Sequence, residues 1–242
     1  MAADHWRSMT SLAGSAVSAD LIAHARGTLD SSAFFSDLRA GKAPIGVVRD
    51  VMGQYYLWRN QFHRWLGVCV AKSPAFGTES DAFRVLSGLT AHIEEEVGGD
   101  HHGLAVRLLR ALGVERPAAV VPLPVTAAYC ESFPVRYLDP ARGGAEAVAA
   151  LAGREIASPA RNRIVIDALS AHYGVTSGLE FLTLHETKGP GQFAALWDVL
   201  MNGFFADEAL MVRAAREEIG EHVGFWDEVY AHLSRDLAGV PA

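Results

Sequence analysis

Cysteine is nearly missing from this sequence: Cys69 and Cys130 are its only two. That is too few for a secreted disulfide scaffold, so a reducing, cytoplasmic compartment is expected. No apolar run reaches the roughly 18 residues that span a bilayer, and the opening MAADHWRSMT lacks the basic-then-apolar order of a signal peptide. Basic residues are not in excess, with Lys plus Arg at 21, Asp plus Glu at 28 and a net charge of -7. Such a chain is a poor general binder of nucleic acid or of an anionic membrane, both of which attract positive surfaces. Short alternating runs of Val, Ile and Thr joined by tight turns, the mark of strands, are also lacking. What remains is apolar material for a full core: 50% of the 242 residues are hydrophobic and 20% charged, which excludes disorder as the main state.

Apolar residues recur every three or four positions between Gly and Pro breaks, the helical period. The expected fold class is all-α, a single-domain helical bundle over residues 19–242 behind a Ser/Ala-rich lead, 1–18. Helices are expected at 19–29 and 32–40, then one long helix from Pro44 to about Lys72. The next runs from Thr78, with Asp81 completing a loose capping box, to Gly98. Asp100 should cap a helix over 101–112. A proline-rich loop covers 114–125. Helices follow at 125–138, bent at Pro134, and at 144–173, kinked at Pro159. The spacing then predicts helices at 178–188 and 192–201, separated by Gly189-Pro190-Gly191, and a last one at 207–237. The charge run from Arg213 to Glu221 reads as an exposed face.

A buried ionisable side chain is costly unless paired or metal-bound, so Glu and His on apolar stripes are informative. The stripe Leu86, Leu89, Ile93 continues to Glu96, with His92 on nearly the same face, while Glu94 and Glu95 point away. A solvated helix end is the alternative. His101 heads the stripe Leu104, Leu108, Ala111; His102 lies on a weaker face. Val148 and Leu151 lead to Glu155, for which a surface pairing with Arg154 or Arg161 is the alternative. His185 shares the face of Phe181 and Leu182, where a core histidine is the commoner finding. Two Glu and two His on four helices without cysteine suit an iron or manganese site in a bundle. Arg59 interrupts an apolar series and is either exposed or an inward anchor for a substrate carboxylate. Tyr55, Tyr56, Trp58 and Cys69 read as core.

The stretches QYYLWRNQFHRW, HIEEEVGGDHHGLAVRLLRALGV, GREIASPARNRIVIDALSAHYG and LEFLTLHE, between about residues 32 and 235, resemble the heme-oxygenase-like superfamily. It includes TenA thiaminases, pyrroloquinoline-quinone synthase and the heme-oxygenase-like diiron oxidases. The resemblance implies metal ligands at Glu96, His101, Glu155 and His185. It departs from the diiron pattern where an Asp and a His are expected: Gly189 and Gln192 stand there, and Gly-Pro-Gly should end the helix one turn after His185. A six-ligand diiron site is not available, which leaves one Fe(II), replacement ligands from His92, His102 or Glu186, or no metal. The resemblance implies an Fe(II)-dependent, O2-using oxidase of a small amino-acid-like or carboxylate substrate, in natural-product biosynthesis. Glu155 and His185 would be catalytic, and Arg59 would bind substrate. The alternatives are a metal-independent acid/base enzyme using the same pocket and a non-catalytic ligand-binding relative. A homodimer is left open.

Overall fold

The computed structural model of the chain describes residues 16–73, 79–203 and 207–237. Ten α-helices, one short 3-10 turn and no strand make up these residues: α1 Ala16–Ser31, α2 Ala33–Arg39, α3 Ile45–Arg59, α4 Phe62–Ala71, α5 Glu79–Gly98, α6 His101–Ala111, α7 Pro124–Tyr137, α8 Gly144–His172, α9 Glu180–Gly203 and α10 Glu208–Leu237. The boundary expected at 18/19 falls inside the first turn of α1. The Thr78 capping box lies outside the described residues. No described helix is long and apolar enough to cross a membrane.

Helix α8 is the axis of the bundle, and α9 and α10 flank it along most of its length. Every residue from Ala145 to Asn162 is buried. Such a helix needs small side chains where neighbours come close, and α8 supplies Ala147, Ala149, Ala150, Ala152 and Gly153. A Cβ added at Gly153 would lie 2.4 Å from the carbonyl oxygen of Ala215 on α10. Ser32 joins the N-terminal helices to the last one: its hydroxyl donates to Asp227 at 2.6 Å and accepts from the Phe35 N–H at 3.3 Å. Gln54 on α3 holds the proline-rich loop, donating to the Val121 carbonyl at 3.0 Å and accepting from the Leu123 N–H at 2.9 Å.

Three sequence expectations are corrected. The helix expected from Pro44 to Lys72 is two helices, because at Asn60-Gln61 the ladder slips to i-3 bonds: the Gln61 N–H reaches Trp58 at 2.8 Å and the Arg64 N–H reaches Gln61 at 2.9 Å. Asp100 occupies the N-cap of α6 but makes no capping bond; its carboxylate pairs with Arg107 at 3.0 Å instead. The segments expected as separate helices at 178–188 and 192–201 are one helix, α9, which continues through Gly189-Pro190-Gly191. Tertiary packing overrides the local helix-breaking tendency, roughly 1 kcal/mol for Gly and 3 for Pro. Gly189 is pressed against α8, where an added Cβ would lie 2.7 Å from Pro159 Cγ and 3.3 Å from the Glu155 carbonyl oxygen.

Candidate metal centre

Glu96 ends the buried face of α5, a two-residue link follows, and His101 opens α6. That tight connection sets two donors from neighbouring helices side by side, with His101 Nδ1 3.2 Å from Glu96 Oε2. His185 comes across from α9, its Nε2 3.9 Å from Glu96 Oε1. Ligand atoms of Glu96, His101 and His185 all lie within 4.8 Å of one another. His92, one turn before Glu96, places Nε2 4.0 Å from Glu96 Oε1, and that nitrogen is buried without a hydrogen-bond partner. Arg59 Nη2 stands 3.5 Å from Glu96 Oε2, the oxygen that His101 also approaches, and equally far from the Glu96 backbone oxygen.

The electrostatics prepare a donor set. Burial alone would raise the Glu96 carboxyl, but the His101 hydrogen bond and the imidazoles of His185, His101 and His92 outweigh it and hold the group down at about 2. Burial drives His185 down to about 4 against the raising pull of Glu96 and of the Phe181 carbonyl. Near neutral pH the pair is therefore a carboxylate and a neutral imidazole, the protonation states that ligate metals. His185 Nδ1 donates to the Phe181 carbonyl at 2.8 Å, which fixes the tautomer and leaves the Nε2 lone pair toward Glu96. One carboxylate and two imidazoles without sulfur is a donor set for Fe(II) or Mn(II). The residues fit such an ion.

A family model for iron-containing redox enzymes matches residues 49–189. The chain belongs to that family. Solved structures show the same fold at low identity. A domain of unknown function with a heme oxygenase-like fold from Shewanella denitrificans is 16% identical with a TM-score of 0.74, over 91% of this chain and 93% of that one. A TenA homolog from Pseudomonas syringae pv. tomato is 16% identical, TM-score 0.68, over 89% and 91%. A TenA homologue from P. horikoshii is 14% identical, TM-score 0.66, over 89% and 98%. No curated protein matches the chain. The fold is heme-oxygenase-like and all-α.

The other residues singled out from the sequence of this iron-containing redox enzyme relative take different places. Glu155 is 4% exposed on α8. Burial raises its carboxyl; His92, Arg154 and Arg161 oppose the rise and Glu96 adds to it. It borders the site but is not in the 4.8 Å cluster. Arg59 is inward, with 11% of its side chain exposed. His102 is exposed beside Tyr56 and is not in the 4.8 Å cluster. Glu186 faces α8, where both its oxygens lie within 2.8 Å of the Arg163 guanidinium. The Gln192 amide donates to Glu95 at 3.4 Å, and Lys188 also pairs with Glu95; Glu95 thus bridges to α9 rather than pointing to solvent.

Two openings lie near this centre, and the second of them includes Glu96 in its lining. A groove of about 430 Å³ between α5 and α9 is lined by His92, Glu95, Lys188 and Gln192 together with small residues such as Gly88 and Ala91. A second cleft of about 280 Å³ is lined by Arg59, Asn60, Phe62, His63, Glu96 and His102.

A second buried polar cluster escaped the sequence reading. On α8, Arg161 donates to Ser158 Oγ at 2.8 Å and to the Tyr55 hydroxyl at 3.2 Å, and it meets His222 of α10. The Tyr129 hydroxyl, on α7, donates to Glu218 at 3.1 Å and lies 3.0 Å from His222 Nδ1. Arg154 lies with its guanidinium carbon 3.7 Å from the Trp58 ring centroid, a cation–π stack. The expectation of an exposed face over 213–221 is corrected here: Glu218 is 1% exposed. The available signal was its spacing, since Glu218 and His222 sit one turn apart on the stripe of Ala215, Ile219 and Trp226.

Proposed function

We propose that this chain is an iron-dependent oxidase that uses O2 to oxidise a small organic substrate, with one Fe(II) held by Glu96, His101 and His185. The observation that carries the reading is the convergence of these three donors, with His185 locked by the Phe181 carbonyl so that its free nitrogen faces the carboxylate. Bound Fe(II) would supply open coordination positions and electrons for O2 chemistry. The chain's own residues do the rest. Phe181 packs on the His185 ring at 4.4 Å and Phe62 stands 5.9 Å from His92, so these rings give the two imidazoles apolar neighbours that strengthen local electrostatics. Glu155, whose carboxyl burial pushes up against the lowering pull of His92, Arg154 and Arg161, is the buried carboxyl group on α8 available for proton transfer.

The test is anaerobic Fe(II) titration of the unaltered chain, followed by exposure to O2. About one tight equivalent per chain is expected, with a second event weaker by roughly 2 kcal/mol or absent, since Gly189 and Gln192 offer no anionic or imidazole donor. His101→Ala should weaken the tight event far more than His102→Ala. Less than about 0.2 iron per chain, with no spectral change on adding O2, would sink the proposal.

A second reading has its own support. Glu96 already has partners within the protein, His101 at 3.2 Å and Arg59 at 3.5 Å, so the cluster is also a workable metal-independent acid/base site. Glu155 and His185 would then be the acid and base. Turnover that withstands chelators separates this reading from the first.

A further inference from the structure

The cleft behind Glu96 contains a cation whose hydrogen-bonding capacity is barely used. Arg59 carries five N–H donors. Its Nη2 contacts with Glu96 are both 3.5 Å, the far limit of hydrogen bonding. Its Nε is buried with no partner at all. A buried guanidinium left this way is costly unless something else receives its donors. The cleft offers room for that acceptor: about 280 Å³, or roughly nine water-sized groups at about 30 Å³ each. Asn60, His63 and His102 add polar groups around it, and Phe62 supplies an apolar wall. The cleft lies at the helix break after Arg59, with Asn60, Phe62 and His63 in its lining.

Charge decides what kind of acceptor belongs there. Of the residues lining the cleft, Arg59 is cationic and Glu96 anionic, and in the metal-free chain the two offset each other. A divalent cation on Glu96 takes up that carboxylate's charge and leaves Arg59 as surplus positive charge in a largely buried place, which favours an incoming anion. A planar carboxylate matches the guanidinium fork in two-point contact.

We propose that this cleft is a carboxylate-binding subsite, in which Arg59 anchors the acid group of the substrate and so directs the neighbouring carbon chain toward Glu96, His101 and His185. The proposal rests on the iron-oxidase reading for its charge balance. It also makes a separate claim, about Arg59 and anions, which can fail by itself.

The experiment uses the full chain loaded with Mn(II), a redox-quiet stand-in for Fe(II), and the same chain free of metal. Hexanoate and its uncharged counterpart hexanamide are titrated calorimetrically, and the metal content of each preparation is measured. The loaded chain should bind hexanoate at least tenfold more tightly than hexanamide. Arg59→Met should erase that preference while the metal content stays at the wild-type level. Arg59→Lys, which keeps the charge but loses the fork, should weaken hexanoate several-fold, and this variant serves if Arg59→Met does not fold. A preference that survives in Arg59→Met, equal hexanoate affinity in Arg59→Lys, or no preference in the loaded wild type would each overturn the subsite. If the chain takes up no metal, the iron reading fails and the metal-free titrations decide: loss of the hexanoate preference in Arg59→Met sustains the subsite, and its absence in wild type or persistence in the variant overturns it.

Discussion

Glu218→Gln is expected to stabilise the protein at pH 8 by several kcal/mol and to remove most of its loss of stability between pH 6.5 and pH 8. Burial pushes the Glu218 carboxyl up from an ordinary value of 4.5 to about 8; Arg154 pulls it down, Glu221 pushes it up, and the hydrogen bond from Tyr129 pulls it down. Between those two values the folded chain holds a proton that the unfolded chain has released. The Glu218 contribution to stability therefore falls as pH rises through that window, by up to about 5 kcal/mol at 1.36 kcal/mol per pH unit. Glutamine is uncharged at every pH and still offers an oxygen to the Tyr129 hydroxyl. Two histidines set the opposite limb of the profile. Burial holds His185 at about 4 and takes His222 well below its ordinary 6.5. Below pH 6.5 the unfolded chain gains protons that these folded imidazoles refuse, so acidification also destabilises. Urea unfolding at pH 5, 6.5 and 8 reads both limbs. Identical pH slopes in wild type and Glu218→Gln would mean that Glu218 is ionised in the fold and paired with Arg154.

The second large effect is expected from a single methyl group. In Gly153→Ala the new Cβ would fall 2.4 Å from the Ala215 oxygen and 2.8 Å from its Cα. These are backbone atoms of the second turn of α10, so no rotamer change relieves the overlap and the two helices must move apart. Overpacking in a closed core costs about 1–3 kcal/mol, and a clash with backbone on the bundle's axis belongs at the top of that range or above it. Gly224→Ala, also within a helix, is the matched control. An added Cβ there meets nothing within 4 Å, so helix propensity should make it stabilising by up to about 1 kcal/mol. Denaturant midpoints that drop equally little for both variants would show that α10 slides freely on α8.

The sequence made the helical class legible because periodicity depends on burial, and burial follows from composition along each face. Glu96, His101 and His185 were legible for the same reason, as each occupies a place where its stripe calls for an apolar residue. What failed were inferences from local chemistry about events governed by neighbours. Gly189-Pro190-Gly191 reads as a stop, yet α8 and α5 hold the chain helical through it. The run 44–72 reads as continuous, yet it breaks at two polar residues whose neighbours then bury Trp58, Phe62 and Trp65 on the two arms. Glu218 was hidden in a charge run because its neighbours Arg216 and Glu217 are exposed, and a string of charges conceals which member faces inward. Arg154 and Arg161 were considered only as surface partners, because nothing in one dimension announces that α8 is covered on every side.

The contact between Gly189 and Pro159 fixes an order of change for anyone remodelling this centre. No single substitution can install an acidic donor at position 189, because the first atom of any side chain there meets Pro159 Cγ at 2.7 Å. Position 159 has to shrink first. That step is permissive: alanine at 159 restores an N–H for the Glu155 carbonyl and removes a proline from a helix interior, a residue that costs about 3 kcal/mol there relative to alanine. A library that varies residue 189 alone should return glycine. One that varies 159 and 189 together should return small residues at 159 wherever a carboxylate appears at 189, so the path to a second ligand set begins on the neighbouring helix.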